Sequence, residues 1–282
     1  MNFQVSAFAD ESSNVFAGQI DALKRNGYNF LEIRNVDGKN VTQLTVSEAK
    51  QLSGMLADQG LSVWSVGSPI GKIPINGDFD SHLELYRHTL ELANVFGAKQ
   101  IRLFSFYMPV NTDPEQFRSV VLDRMGILGQ LAVRADVIAC HENEKGIYGA
   151  TPCRCAQIHE ACPQIKAVFD PANFVQCAQD TLQAWQALAP YVQYLHNKDA
   201  LPTGLVTPAG KGSGNIAAII RDYASRGGRV LSLEPHLYEF AGLKGLEQSG
   251  GESIVGHLHF STAEAAFDYA VHALNQLLEG LQ

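Results

Sequence analysis

The sequence predicts a single (β/α)8 TIM barrel, one domain over residues 1–282, and three observations support this fold class. Eight short β-type runs alternate with eight longer runs that carry apolar residues at helical spacing. The 282 residues and the hydrophobic content of 46% suit one large core, and roughly 250 residues is usual for such a barrel. No Gly-x-Gly-x-x-Gly motif follows the first strand, which disfavours an open dinucleotide-binding sheet.

Period-2 runs bounded by turn residues define the strands, and apolar residues at helical spacing define the helices. The predicted strands are 3–8, 30–35, 61–66, 100–106, 137–142, 166–170, 193–196 and 229–234. The predicted helices are 14–25, 46–59, 81–96, 114–135, 152–161, 181–189, 216–226 and 262–278. Several helices have a glycine at their exit, and two have a proline at their first position after a capping Asp or Thr.

Metal-capable side chains stand at the ends of four successive predicted strands, namely Glu142, Asp170, His196 and Glu234. They are separated by 28, 26 and 38 residues, which is about one strand plus one helix each. Any one of them alone could be a helix cap, a surface charge or an ordinary rim histidine. Because parallel strands end at one rim of a barrel, the four in order predict a shared site for one divalent metal ion. Three carboxylates and an imidazole suit Mn²⁺ or Mg²⁺, with Co²⁺ or Zn²⁺ as further options.

Such a site favours proton transfer next to a carbonyl group. A divalent cation that binds neighbouring carbonyl and hydroxyl oxygens acidifies the C–H between them and stabilises the enediolate. Glu142 and Glu234 belong to the first and last strands of the set, so we predict that they are the catalytic base and acid and exchange roles with the direction of reaction.

Two polar strand positions are expected inside the barrel, because helices cover its outer face. We expect Glu32 to form an ion pair with Arg102 in the lumen. Arg34, nearer the end of its strand, is open between an ion pair and a substrate contact.

Four segments around the predicted ligands are more specific than the ligands alone. They read His141-Glu142-Asn143-Glu144, Phe169-Asp170-Pro171-Ala172-Asn173-Phe174, His196-Asn197-Lys198-Asp199 and Leu233-Glu234-Pro235-His236. In these segments the sequence resembles the sugar phosphate isomerase/epimerase family, the xylose isomerase-like TIM barrels. The resemblance implies that the four strand-end residues are metal ligands, that the two glutamates are the acid/base pair, and that the substrate is a small carbohydrate.

The resemblance and the sequence also suggest substrate contacts. Asn173 stands where related ketose 3-epimerases have a substrate-binding histidine, so their sugar recognition does not transfer. Lys198 and Asp199 follow the predicted ligand His196 at the rim and are candidates for binding substrate. Lys211 lies where relatives usually have an acidic residue; it could meet a phosphate or carboxylate of the substrate, or be a solvated loop lysine.

Three other functions stay open at this point. The same metal and base could drive a lyase or dehydratase step on a keto-sugar or inosose, because an enediolate with a neighbouring leaving group eliminates. An abasic-site endonuclease shares the fold but needs a cluster of three metals, more histidine ligands and a basic groove. A non-catalytic sugar-binding barrel would be indicated by the loss of a ligand, and all four are present.

Composition limits the partners. The net charge of −8 without a basic block argues against nucleic acid as a partner. No apolar run approaches the roughly 20 residues of a membrane span. The chain starts without a signal-like layout, and its five cysteines form no Cys-x-x-Cys motif, so we expect a cytoplasmic protein. The apolar helix 263–278 is a candidate interface of a homo-oligomer.

Two long connections leave strand ends on the side of the predicted site and are candidate lids. One follows His196 and runs over residues 197–215. The other follows Glu234 and contains glycines at 242, 245, 250, 251 and 256.

Overall fold

Eight parallel strands close into one barrel, which confirms the predicted fold class. The computed structural model describes residues 2–240 and 258–281. The barrel strands are β1 (Gln4–Ala7), β2 (Phe30–Ile33), β3 (Ser62–Val66), β4 (Gln100–Leu103), β5 (Ile138–Glu142), β6 (Lys166–Phe169), β7 (Val192–Asn197) and β8 (Val230–Leu233). Neighbours in sequence are neighbours in the barrel, and β1 pairs with both β2 and β8.

The helices cover the outside of the barrel. They are α1 (Phe16–Arg25), α2 (Val46–Asp58), α3 (Phe79–Phe96), α4 (Arg118–Arg134), α5 (Pro152–Ala161), α6 (Pro171–Gln176), α7 (Thr181–Leu188), α8 (Ile216–Ser225) and α9 (Ala263–Glu279). The predicted helix 114–135 is a 3-10 turn at Pro114–Phe117 followed by α4. The short α6 was not predicted, because six residues are too few for a helical period to show.

Local sequence signals explain where the helices begin and end. The Thr45 side chain accepts a hydrogen bond from the Glu48 N–H, and the Thr45 N–H donates one to the Glu48 carboxylate, so α2 begins with a capping box. Gly97 ends α3 in the left-handed region at φ 68°, which only glycine adopts without strain. Pro152 stands at the first position of α5 after its cap Thr151.

The lumen is filled in layers. Cys140, Val168 and Tyr194 pack with Val230 in an apolar cluster inside the barrel. Side chains alternate along a strand between the lumen and the helices, so the residue two positions after each member of this cluster also faces the lumen. These residues are Glu142, Asp170, His196 and Ser232. The strand period therefore places three of the four predicted ligands on the lumen side at the carboxyl-terminal rim, where barrel enzymes bind their substrates.

The connection after β7 contains a small antiparallel ribbon of Asp199–Ala200 with Val206–Thr207. The other candidate lid, with its glycines at 242 to 256, lies outside the described residues. Within the described ranges 2–240 and 258–281, no helix is long and apolar enough to cross a bilayer.

Candidate metal centre at the barrel mouth

Four buried side chains from consecutive strands meet at the rim. Glu142 ends β5, Asp170 follows β6, His196 lies in β7 and Glu234 follows β8. Each offers one ligand atom, and these four atoms lie within 4.8 Å of one another. The side chains are at most 3% exposed, so the cluster is shielded from bulk water.

The imidazole of His196 directs Nδ1 into this cluster. Nδ1 lies 2.8 Å from Glu142 Oε1, 3.5 Å from Glu234 Oε2 and 4.0 Å from Asp170 Oδ2. Burial alone would lower the pKa of His196, but Glu142 and the neighbouring Glu32 raise it well above its usual value. The carboxylates around the ring therefore favour the protonated imidazole.

Glu142 is held as a carboxylate. Arg102 Nη1 donates to Glu142 Oε2 at 3.1 Å, and His196 bonds the other oxygen. Although burial opposes ionisation, His196 and Arg102 lower the pKa of Glu142 to about 2. A carboxylate that is ionised at neutral pH can accept a proton from a substrate carbon.

Three cationic side chains lie against the Glu234 carboxylate. Arg34 Nη1 donates to its Oε1 at 3.1 Å, Arg102 Nη1 lies 3.4 Å from the same oxygen, and Lys198 Nζ donates to Oε2. Burial raises the pKa of Glu234, but Lys198 and nearby histidines bring it well below its usual value. Both predicted acid/base residues are thus ionised in this arrangement.

Lys198 joins two of the predicted ligands. Its ammonium donates to Asp170 Oδ2 at 2.6 Å and to Glu234 Oε2, and it is only 3% exposed. Burial would lower the pKa of Lys198, but Asp170 and Glu234 raise it well above its usual value. The predicted substrate contact therefore lies inside the centre as a buried ammonium group.

Asp170 is fixed by a short hydrogen-bonded corner. Its Oδ1 accepts from the Asn173 N–H at 3.0 Å, which makes Asp170 the cap of α6. Asn143 pairs with its main chain in both directions, accepting from the Asp170 N–H and donating to the Asp170 carbonyl at 2.9 Å each. Asn173 Nδ2 also lies 3.4 Å from Glu142 Oε1, so this predicted substrate contact borders the centre.

A model of the family described as "Xylose isomerase-like TIM barrel" matches residues 20–250. The chain belongs to the xylose isomerase-like TIM-barrel family. This confirms the resemblance inferred from the segments around the four strand ends. Among curated proteins, no sequence matches the chain at a significant level.

Several solved structures share the fold at low sequence identity. The probable 3-DHS dehydratase AsbF of Bacillus anthracis, involved in petrobactin synthesis, is 16% identical with a TM-score of 0.72, over 98% of this chain and 99% of that one. The 3-keto-D-glucoside 4-epimerase YcjR of E. coli is 14% identical with a TM-score of 0.70, over 99% and 100%. A xylose isomerase-like protein of Mycobacterium smegmatis in complex with magnesium is 16% identical with a TM-score of 0.69, over 99% and 98%.

The donor set fits a divalent cation, and one of the structures that share the fold is in complex with magnesium. Three carboxylates lie within 4.0 Å of the Nδ1 of His196. The positively charged groups beside these carboxylates are Lys198, Arg102 and Arg34. A divalent cation could also balance their charge, and oxygen-rich ligands of this kind suit Mn²⁺ or Mg²⁺.

A second acidic group next to the centre was missed by sequence reasoning. Arg34 pairs with both oxygens of Asp10 at 2.8 and 3.0 Å, and also with Glu11 at 3.0 Å. The guanidinium lies over the rings of Phe8 and Phe240 at 4.4 and 4.5 Å. Of the two options for Arg34, the structure displays the ion pair. A signal was available, because Asp10 and Glu11 lie in the 3-10 turn that comes after the first strand.

Glu11, Glu234 and His236 also have ligand atoms within 4.8 Å of one another. Arg34 lies between them, since it bonds both Glu11 and Glu234. Because the guanidinium already contacts both carboxylates of this group, the four strand-end residues remain the candidate metal centre.

The remaining two predicted substrate contacts lie on the loop after β7. The Asp199 carboxylate is buried and accepts from the N–H groups of Ala200, Gly212 and Gly214 at 2.8 to 2.9 Å. Those bonds show Asp199 organising its own loop. Lys211 is exposed on the same loop.

The prediction that Glu32 forms an ion pair with Arg102 is wrong, because each side chain bonds other residues. Arg102 bonds Glu142 and Glu234, whereas Glu32 bonds Tyr194, His196 and Ser232. Strand parity correctly put both side chains in the lumen. It could not say that the long Arg102 side chain extends toward the rim and bypasses Glu32.

Proposed function

We propose that this protein is a divalent-metal-dependent isomerase or epimerase of a small keto-sugar, polyol or sugar phosphate. The observation that carries the proposal is the convergence of Glu142, Asp170, His196 and Glu234 in one buried cluster at the rim. A bound divalent cation would polarise adjacent carbonyl and hydroxyl oxygens and stabilise the enediolate formed by loss of the intervening proton. The family and the sugar epimerase among the structures that share the fold support the substrate class.

The two glutamates would move the proton. Glu142 is ionised at neutral pH with a pKa of about 2 beside His196 and Arg102, and Glu234 is held ionised by Lys198. One carboxylate would take the proton from the substrate carbon, and the other would return a proton to a neighbouring position or to the opposite face. Which one starts would depend on the direction of the reaction.

The other predicted contacts would hold the substrate. Asn173 borders Glu142, and Lys198 borders Glu234, so both could donate hydrogen bonds to sugar hydroxyls next to the reacting carbons. Arg34 would act by holding Glu234, and Asp199 by shaping the loop that carries Lys211. Lys211 would reach the substrate from that loop only if the substrate extends outward or carries an anionic group.

One observation favours a lyase or dehydratase as the second candidate. Lys198 is a buried ammonium beside the proposed base Glu234. It could donate a proton to a hydroxyl that leaves from the carbon next to the enediolate, so that elimination replaces reprotonation. A probable dehydratase is among the structures that share the fold.

The test combines metal content with isotope exchange. Purified wild type, Glu142→Gln and His196→Ala are analysed for bound metal, and each is incubated with Mn²⁺ and a panel of keto-sugars in D₂O. We expect one divalent ion per wild-type chain, lost in His196→Ala, and metal-dependent deuterium incorporation that falls at least about 100-fold in Glu142→Gln. NMR of the products separates the two candidates, because an epimer keeps all hydroxyls and an elimination product does not.

Glu91→Gln is the matched control. Glu91 is an exposed carboxylate on α3, far in sequence from the rim segments, and the same change of Glu to Gln there should leave metal content and exchange unaltered. A wild type that binds none of Mn²⁺, Mg²⁺, Co²⁺ or Zn²⁺ stoichiometrically would refute the proposal.

A further inference from the structure

Each nitrogen of the His196 ring has its own carboxylate partner. Nδ1 faces the metal cluster, whereas Nε2 lies 3.2 Å from Glu32 Oε2 on the opposite side of the ring. We infer that Glu32 is a positioning residue of the metal centre, which accepts a hydrogen bond from the Nε2–H of His196 and so presents the Nδ1 lone pair to the cation. This inference rests on the proposed metal-dependent function and adds a residue that the sequence segments did not indicate.

The Glu32 carboxylate is held firmly enough to orient a ring. Tyr194 donates to Oε1 at 2.7 Å, and Ser232 donates to Oε2 at 2.6 Å. Glu32 is fully buried, and its partners come from β7 and β8 across the closed barrel. Both oxygens are thereby fixed in position relative to His196.

The His196 ring is also restrained on its faces. Phe8 approaches it edge-on with the ring centroids 5.3 Å apart, and the Tyr194 ring lies 5.5 Å away at 63°. A rotated or flipped imidazole would lose the bond to Glu32 and the contacts to these rings. Packing against Phe8 and Tyr194 sets the plane of the His196 ring, and the hydrogen bond to Glu32 favours the tautomer with its proton on Nε2.

A purely structural role explains the contacts of Glu32 less well. A lumen glutamate that served only packing would be expected to neutralise Arg102, which shares the lumen. Within the residues the structure describes, Arg102 bonds Glu142 and Glu234, and the ion pair of Glu32 is with His196. A buried carboxylate is costly without a charged partner, and here that partner is the predicted metal ligand. Carboxylates that bond the far nitrogen of a ligating histidine raise its basicity and set its orientation.

The main variant is Glu32→Gln, which keeps the volume and removes the charge. Metal affinity is measured by calorimetric titration of metal-free protein with Mn²⁺, and thermal melting without metal reports folding. Loss of such a partner typically weakens metal affinity about 10- to 100-fold, so we expect a Kd higher by that factor in a folded protein.

Ser65→Ala is the matched control. Ser65 Oγ lies 3.1 Å from Tyr194 Oη in the same lumen, but Ser65 is one step removed from Glu32. We expect its Mn²⁺ affinity to stay within about threefold of wild type, below the effect expected for a lost partner. Tyr194→Phe removes one of the two donors to Glu32 without a cavity, and it should weaken Mn²⁺ binding more than Ser65→Ala does; it provides the test if Glu32→Gln does not fold.

The outcomes distinguish a failure of the proposed metal-dependent function from a failure of the role inferred for Glu32. A wild type that binds no Mn²⁺ refutes the proposed function together with this inference. A wild type that binds Mn²⁺ while folded Glu32→Gln binds it equally well, or Ser65→Ala binds it as weakly as Glu32→Gln, refutes the role of Glu32 alone. If only Tyr194→Phe folds, an affinity equal to that of Ser65→Ala refutes it.

Discussion

Glu11 should make the metal-free protein less stable as the pH rises from acid to neutral. Its carboxylate is 4% exposed and shares the single guanidinium of Arg34 with Asp10 and Glu234. Asp10 takes two of the Arg34 bonds, so one cation serves three carboxylates. Burial therefore raises the pKa of Glu11 to about 8, even though Arg34 opposes the shift.

The direction of this pH dependence follows from the linkage between proton binding and folding. Below about pH 4.5 Glu11 is protonated in both folded and unfolded chains and costs nothing. As the pH rises, the unfolded chain releases this proton first, and folding loses stability until the folded carboxyl also ionises near pH 8. A shift from 4.5 to about 8 corresponds to a loss of about 5 kcal/mol at most across that window.

Glu11→Gln removes this titration while keeping an oxygen for the His236 N–H, which Glu11 Oε2 accepts at 2.6 Å. Urea unfolding in EDTA is measured every half pH unit from 5 to 8.5 for wild type and variant. We expect the free energy of unfolding of wild type to fall by several kcal/mol relative to Glu11→Gln over this range. Groups common to both proteins, such as Asp170 with its pKa near 6, cancel in the difference.

The shape of the difference matters more than its offset, because an imperfectly oriented amide adds a constant. Parallel pH profiles of the two proteins would mean that Glu11 is ionised in the fold and that Arg34 neutralises all three carboxylates. Glu91→Gln, the exposed control, should follow the wild-type profile throughout.

Three further changes test how the rim is built. Asn143→Ala removes both bonds to the main chain of Asp170, so we expect a loss of about 2–4 kcal/mol in urea unfolding and weaker Mn²⁺ binding; an unchanged unfolding midpoint would contradict this. Asp199→Ala leaves three main-chain N–H groups of its loop without their acceptor, so limited proteolysis should cut within residues 201–215 faster than in wild type. Equal cleavage rates would show that other contacts hold the loop. Gly71→Ala places a Cβ 2.0 Å from a main-chain oxygen at φ +90° and should cost about 3 kcal/mol or more, whereas Gly54→Ala, with open space around it, should stabilise α2 by about 0.5–1 kcal/mol; equal melting temperatures of the two would refute the steric argument.

Much of the barrel could be predicted from the sequence because its signals are local. Apolar periodicity, the caps at Thr45 and Thr151 and the exit glycines such as Gly97 each act within a few residues of the chain. The short α6 was not predicted, because its six residues are too few to show a helical period. Its cap Asp170 was interpreted only as a member of the rim cluster. Strand parity likewise determined which side chains enter the lumen.

The partners of those side chains were decided only by the closed barrel. β1 lies between β2 and β8 because the sheet closes, which brings Asp10, Glu11 and Arg34 to Glu234 across roughly 200 residues of sequence. Closure also places Glu32 against His196, 164 residues away, and leaves Arg102 free to reach the rim.

The sequence by itself thus determined the fold and the order of the candidate ligands, since both depend on residue spacing along single strands and helices. Only the tertiary structure decided which charge meets which, because Coulomb interactions and hydrogen bonds depend on distances of a few ångströms between atoms of non-neighbouring strands. For that reason the ionisation of Glu142 and Glu234, the internal ammonium of Lys198 and the role inferred for Glu32 belong to the closed barrel and not to any segment of it.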